Sequence, residues 1–315
     1  MGCLGGVSYM PDRLRAEIAD IMARTSRPYA VNLLLPSSLT TEDDTEWAPV
    51  RELWASLSDA DRTKLAGVEP LLTPGAVADQ VEVVLDARPT AVVLTFATPD
   101  WFIRECRDRG ILVFALVGSI GKAKEASAAG VDVIVAQGSE GGGHTGYAST
   151  LTLVPGVIDE VPQPVLAAGG IADGRGLAAA LSLGAAGAWV GTRFIASKES
   201  YGHENFKRRV VDGGLNQVTL TRAYTGKPLR AFRNRWTEQW EGSGQAIAEF
   251  PGQYAVAGPR VETGYQDGDL DYGMMPAGQA IQLIREIMPA AQIVESMVGE
   301  AEAILTGLAG RIERR

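Results

Sequence analysis

His144 stands inside the run Gly138-Ser139-Glu140-Gly141-Gly142-Gly143-His144-Thr145-Gly146, which holds five glycines among nine residues. Imidazole, with an ordinary pKa of about 6.5, can take or give a proton at neutral pH. Glycine at that density lets main chain approach a flat ligand closely. Together they suit a planar ring lying against backbone with a proton-handling group beside it. The other histidine, His203, lies beside Glu204 and Lys207 in a polar segment and reads as solvated surface.

A second constellation is Ala167-Ala168-Gly169-Gly170-Ile171, followed by Gly191-Thr192. Glycines in two successive loops can turn backbone N–H groups toward an anion, most simply a phosphate. Asp173, in Asp173-Gly174-Arg175-Gly176, reads either as the cap of the following helix or as a direct ligand. A flat ring at one site and a phosphate at the other describe flavin mononucleotide. The sequence shows no dinucleotide fingerprint after a strand, P-loop, HExxH or GxSxG motif.

These loops need a scaffold, and from residue 76 onward unbroken apolar runs alternate with helical patterns, the mark of a parallel sheet buried on both faces. The runs are Ala91 to Phe96, Ile111 to Val117, Val131 to Gln137, Pro164 to Gly170 and Ala188 to Phe194, with Tyr29 to Leu35 and a short Leu4 to Val7 upstream. Both glycine sites fall at the ends of such runs, where a (β/α)8 barrel places its active site. The predicted fold is therefore a TIM (β/α)8-type barrel with seven candidate strands, its usual first strand and helix absent. The expected organisation is a barrel over 1–195, with an insertion at 36–75 near its mouth, a smaller helical cap over 196–275, and a C-terminal stretch, 276–315, whose long helix over Pro276 to Leu308 returns to the barrel.

The chain has 315 residues, 46% of them hydrophobic, enough for one large buried core. A net charge of -9 with scattered Lys and Arg argues against nucleic acid or an anionic membrane as partner. Cys3 and Cys106 are the only cysteines, too far apart in sequence to suggest a zinc site, and Cys106 reads as a packed, inert thiol. No run reaches the ~18 apolar residues of a membrane helix, and no secretory leader is visible, so the expected location is the cytoplasm.

The run Ala136 to Gly146 resembles the signature of the nitronate monooxygenase (2-nitropropane dioxygenase) family. Further matches are Ala167 to Gly174, Val190-Gly191-Thr192-Arg193-Phe194, Thr25 to Leu33, Tyr224-Thr225-Gly226-Lys227-Pro228 and Ala277-Gly278-Gln279. The resemblance covers most of the chain. It implies a TIM barrel with non-covalent flavin mononucleotide held by Asn32, Gln137, Gly142, Gly170, Trp189, Val190, Gly191 and Thr192, with His144 as the catalytic histidine and no metal. Two departures stand out: the family's first strand, ending in a Pro-Met-like flavin contact, has no counterpart, and Gly141 replaces a usual alanine. The implied reaction converts an alkyl nitronate or nitroalkane and dioxygen into a carbonyl compound and nitrite. A flavin-dependent enoyl-acyl-carrier-protein reductase, using NADH or NADPH, shares the Glu-Gly-Gly-His type of loop and is the second reading. A flavin-binding or inactive pseudoenzyme is the third. The sequence leaves self-association as a homodimer open.

Overall fold

The computed structural model describes residues 1–35, 74–250, 252–258 and 260–312. All but the last two residues of the expected 36–75 insertion lie outside the described residues. The chain divides into two compact units, 1–135 with 160–164, and 136–159 with 165–315.

The first unit begins with β1 (Gly2–Gly5), α1 (Pro11–Arg24), β2 (Tyr29–Leu35) and α2 (Pro74–Ala87). It continues with β3 (Ala91–Phe96), α3 (Asp100–Asp108), β4 (Leu112–Val117), α4 (Ile120–Ala129) and the start of β5 (Val133–Gln137). Strands β1 to β4 pair in parallel, with Leu4 opposite Val31, Val31 opposite Val92 and Val92 opposite Val113. Their central residues are buried whichever way they point, as Ala30, Val31, Val92 and Val93 show, which is why they read as unbroken apolar runs rather than alternating ones. The helices cover the sheet through apolar stripes such as Phe102, Ile103 and Cys106 on α3, each large side chain contributing roughly 1.5–3 kcal/mol by burial. Burial pushes the Cys106 thiol up to about 12, so it stays a protonated packing group. The short first strand ends before the expected Val7 because Gly6 to Ser8 turn into a 3-10 helix, and the Gln80 amide holds the carbonyls of Gly6 and Tyr9 at 3.4 and 2.6 Å.

The second unit takes the end of β5 and then β6 (Gly143–His144), α5 (Thr150–Ile158), β7 (Val165–Ala168), α6 (Gly174–Ser182), β8 (Gly187–Trp189) and the single turn α7 (Thr192–Ile195). There follow α8 (Glu204–Asp212), β9 (Val218–Thr221), β10 (Leu229–Phe232), α9 (Arg235–Gly242), α10 (Gly252–Ala257), α11 (Arg260–Gln266) and α12 (Ala290–Ile312). Among the described residues the parallel strands run β1-β2-β3-β4-β5-β7-β8, each beside its predecessor, which is the expected (β/α)-barrel pattern with the seven strands read from the sequence. The remaining strands form a separate antiparallel sheet, β6-β10-β9.

Three sequence readings need correction. The run from Ala188 to Phe194 is not one strand: β8 stops at Trp189, opposite the last residue of β7, Ala168, and the chain then coils into α7. The segment read as a helical cap also carries β9 and β10, whose Leu229, Ala231 and Phe232 are core residues. The C-terminal helix begins at Ala290 rather than Pro276, because Pro289 cannot continue a helix from upstream and the Glu199 carboxylate accepts the Ala290 N–H at 2.8 Å. Two apolar clusters hold this unit, one around Phe206, Phe232 and Ile281, the other around Tyr224, Trp236 and Val261.

Helices α6 and α12 pack closely at Gly174, where an added Cβ would lie 2.4 Å from the Glu300 Cβ and 2.6 Å from the Ala301 nitrogen. The Gly174 N–H donates to the Glu300 carboxylate at 2.8 Å. Gly174→Ala should therefore destabilise the protein by roughly 1–3 kcal/mol, the usual cost of overpacking. Gly299→Ala, on the same α12 but with nothing within 4 Å of its added methyl, should stabilise by about 0.5–1 kcal/mol. Denaturant unfolding of both variants checks the pair, and equal effects would show that the contact is not close.

Candidate active site

Strand β5 feeds directly into the glycine-rich loop, and the loop's shape follows from what its glycines touch. The Gly138 N–H bonds to the Ala168 carbonyl at 2.9 Å, joining the loop to the end of β7. A Cβ at Gly138 would sit 2.1 Å from the Thr150 hydroxyl and 2.3 Å from the Thr150 nitrogen, so only glycine lets α5 start this close. Glu140 fills the N-terminus of α5: its carboxylate accepts the Thr150 N–H at 2.9 Å and the Thr150 hydroxyl at 2.9 Å. Negative charge there is favoured by the unpaired N–H groups and the helix dipole. The Arg230 guanidinium holds the other side, donating to the Ser139 carbonyl at 3.0 and 3.2 Å.

His144 is presented by the antiparallel pairing of β6 with β10, where it lies opposite Leu229 and Gly143 lies opposite Arg230. The buried Gln137 amide donates to the His144 carbonyl at 2.6 Å. The His144 Nε2 lies 2.8 Å from the Thr225 hydroxyl, on the loop between β9 and β10. Burial, and then the Lys227 ammonium, push its pKa down to about 4. The imidazole is neutral at neutral pH.

The two constellations predicted from sequence come together through a third segment, Ala277 to Gln279. The Gly278 N–H donates to the Thr192 hydroxyl at 2.9 Å, and the Gln279 N–H to the Glu140 carbonyl at 2.9 Å. Gly142 packs against this segment so closely that an added Cβ would lie 2.7 Å from the Ala277 carbonyl carbon. Gly169 and Gly170, just past β7, both have positive φ, and a Cβ on Gly170 would reach 3.5 Å from the Glu140 side chain. Asp173 is the helix cap, accepting the Arg175 and Gly176 N–H groups at 3.0 and 3.2 Å. With Glu300 on the Gly174 N–H, the start of α6 is occupied by the protein's own carboxylates, which removes the direct-ligand reading of Asp173.

Of the predicted residues, Gln137, Gly142, His144, Gly170 and Thr192 are thus tied into one network of the second unit. Trp189 ends β8, Val190 and Gly191 follow it, and all three retain exposure. Asn32 belongs to the first unit, where its amide nitrogen is spent on the Val93 carbonyl at 2.9 Å and the Thr95 hydroxyl at 3.0 Å, so its side-chain oxygen is what could serve a ligand. Sequence reasoning gave no role to Glu140, Thr225, Arg230 or Gly278. The only signal for Thr225 and Gly278 was their place in short runs shared with the family.

A family model described as nitronate monooxygenase matches residues 1–300. A Staphylococcus saprophyticus protein named "Probable nitronate monooxygenase" is 30% identical over 322 residues, covering 97% of this chain and 88% of its own. Among solved structures, nitroalkane oxidase from Streptomyces ansochromogenes has a TM-score of 0.80 at 28% identity, over 97% of this chain and 89% of its own. FabK from Thermotoga maritima has a TM-score of 0.78 at 30% identity, over 98% and 87%. No helix among the described residues is long and apolar enough to cross a membrane.

The low pKa of His144 has a consequence for stability. An unfolded histidine titrates at about 6.5, so between that pH and about 4 the unfolded chain binds a proton that the folded one refuses. Stability from this site is complete above the unfolded value and falls as pH drops toward 4. Unfolding curves of the wild type and His144→Gln between pH 4 and 8 should diverge below pH 6.5, the wild type losing stability faster. Parallel curves would mean that His144 is not held neutral.

Proposed function

The chain belongs to the nitronate monooxygenase family, and on that premise we propose that it binds flavin mononucleotide and oxidises alkyl nitronates, or their parent nitroalkanes, with dioxygen to carbonyl compounds and nitrite. The observation that carries this reading is a histidine held neutral inside a glycine loop that has open main chain beside it. An added Cβ at Gly143 or Gly191 would meet nothing within 4 Å, whereas at Gly138 or Gly142 it would strike the loop's own supports. Backbone facing open space is what a flat ring needs, and the glycine pair after β7 and the Gly191-Thr192 turn offer N–H groups to a phosphate. By resemblance the cofactor's holders would be Asn32, Gln137, Gly142, Gly170, Trp189, Val190, Gly191 and Thr192; of these Gly191 has open space beside its main chain, whereas Gly142 packs on the loop's own supports.

Flavin mononucleotide, when bound, supplies an electron-accepting ring and, once reduced, the reductant for dioxygen. The protein's own part is to bind, orient and handle the proton. A neutral nitroalkane must lose its α-proton: the C–H bond breaks, the proton goes to the neutral His144 imidazole, and the electron pair delocalises into the nitro group as a nitronate. A substrate that arrives as nitronate needs no base, and the same ring can donate a hydrogen bond to its oxygens. Lys227, whose charge already acts on His144, favours an anion in that neighbourhood.

The purified protein should show a flavin absorbance spectrum, consume oxygen with propyl-2-nitronate and release nitrite. A flavin spectrum without oxygen uptake, but with anaerobic bleaching by NADH or NADPH, would replace this reading with the enoyl-acyl-carrier-protein reductase one. Protein that stays colourless and takes up no added flavin mononucleotide would overturn the cofactor itself.

A further inference from the structure

Among the described residues, Arg193 and Lys207 are the only charged side chains that are buried, at 6% and 8% exposure. Both are cations, and both hold main-chain carbonyls of one short stretch. The Arg193 guanidinium donates to the Ala196 and Glu286 carbonyls at 3.4 and 3.1 Å, and the Lys207 ammonium to the Lys198 carbonyl at 3.2 Å. Neither forms an ion pair with a carboxylate of the described residues. Arg and Lys are seldom buried without such a partner, because burial strips water from the charge. Burial accordingly pulls the Arg193 pKa below its ordinary value, with the Glu286 charge acting the other way. The stretch follows directly on the Gly191-Thr192 turn. From Thr192 to Ala196 the single turn α7 rises about 6 Å, so a guanidinium bonded to the Ala196 carbonyl lies within roughly 10 Å of the Thr192 main chain.

An anion at this turn would otherwise meet repulsion. The chain carries a net charge of -9, and the start of α6, a few residues past the Gly169-Gly170 pair, is filled by the Asp173 and Glu300 carboxylates. Of these two acids, Asp173 is closely paired by Arg175, while Glu300 lies at the 4.0 Å limit of that same guanidinium. We propose that Arg193, backed by Lys207, is the buried counter-charge for the anionic tail of the cofactor, so that this turn selects a flavin carrying a phosphate over one that lacks it. The inference rests on the reading of the chain as a flavin protein and adds what fixes the form of the flavin. Arg193 is a positioning residue in this account: its hydrogen bonds go to carbonyls, and it acts on the phosphate through its field. Across about 10 Å at an effective dielectric of about 20, one unit charge changes the affinity of another by about tenfold or more.

The test is titration of the flavin-stripped full-length protein with flavin mononucleotide and, separately, with riboflavin, followed by quenching of flavin fluorescence. Arg193→Met should raise Kd for flavin mononucleotide by about tenfold or more and leave Kd for riboflavin within about twofold. Lys207→Met should shift the same ratio in the same direction by less. Arg193→Lys, which keeps the charge and loses the planar fork, should recover most of the affinity for flavin mononucleotide. Equal weakening of both ligands in Arg193→Met would overturn the proposal, since Arg193 would then only brace the Ala196 and Glu286 carbonyls, and an unchanged ratio would overturn it as well. Should Arg193→Met fail to fold, Arg193→Gln, which keeps an amide donor for those carbonyls, makes the same comparison. Wild-type protein that binds riboflavin as tightly as flavin mononucleotide would contradict the inference and leave the flavin reading standing. Wild-type protein that binds neither would end both.

Discussion

A histidine can be kept neutral beside a small-molecule site only if the loop that carries it satisfies its own polar groups without surrendering the ring to water. Here one carboxylate meets part of that condition. Glu140 closes the start of α5 through the Thr150 N–H and hydroxyl, while its backbone carbonyl receives Gln279. Hydrogen bonds to a charged group are each worth about 1.5–3 kcal/mol. Five glycines in nine residues cost roughly 2.5–5 kcal/mol of extra chain entropy relative to alanine. The two quantities are comparable, so Glu140 is one of the ties that hold the glycine loop, beside the Gly138–Ala168 and Arg230–Ser139 hydrogen bonds and the β6–β10 pairing that sets His144.

The glycines themselves divide into two kinds. Gly138 and Gly142 are where protein approaches protein, with added Cβ contacts below 3 Å to Thr150 and Ala277. Gly143 and Gly191 face open space. The first kind builds the loop and the second leaves main chain available to a ligand. The antiparallel sheet β6-β10-β9 then completes the arrangement, because its pairing sets His144 and its connecting turn delivers Thr225 and Lys227. The segment after the barrel strands thus supplies part of the network around His144.

The parallel strands were legible because a strand buried on both faces writes itself as an unbroken apolar run, and because glycines such as Gly130, left-handed at φ 88°, punctuate the helix ends. The seven-strand count was legible for the same reason. Strand β6 was not, since two residues paired to a distant segment leave no periodicity. Nor were β9 and β10, four residues each, whose alternation is too short to stand out from the polar helices around them. The end of β8 at Trp189 was hidden because apolar character continues into α7 while the partner strand has already ended. Thr225 lies 81 residues from His144, and no local pattern reports a contact of that range; Glu140 was in plain view, but its role depends on where α5 begins.

The central claim is that His144 is the proton acceptor for the neutral substrate, and parallel rate measurements on His144→Ala test it most directly. Oxygen uptake would be followed with 2-nitropropane and with preformed propyl-2-nitronate, at flavin content matched to the wild type. The account predicts a loss of about 10²-fold or more with the nitroalkane, the usual worth of a positioned base, and a much smaller loss with the nitronate, which has no proton to give. Equal losses on both substrates, or unchanged turnover of the nitroalkane, would contradict it.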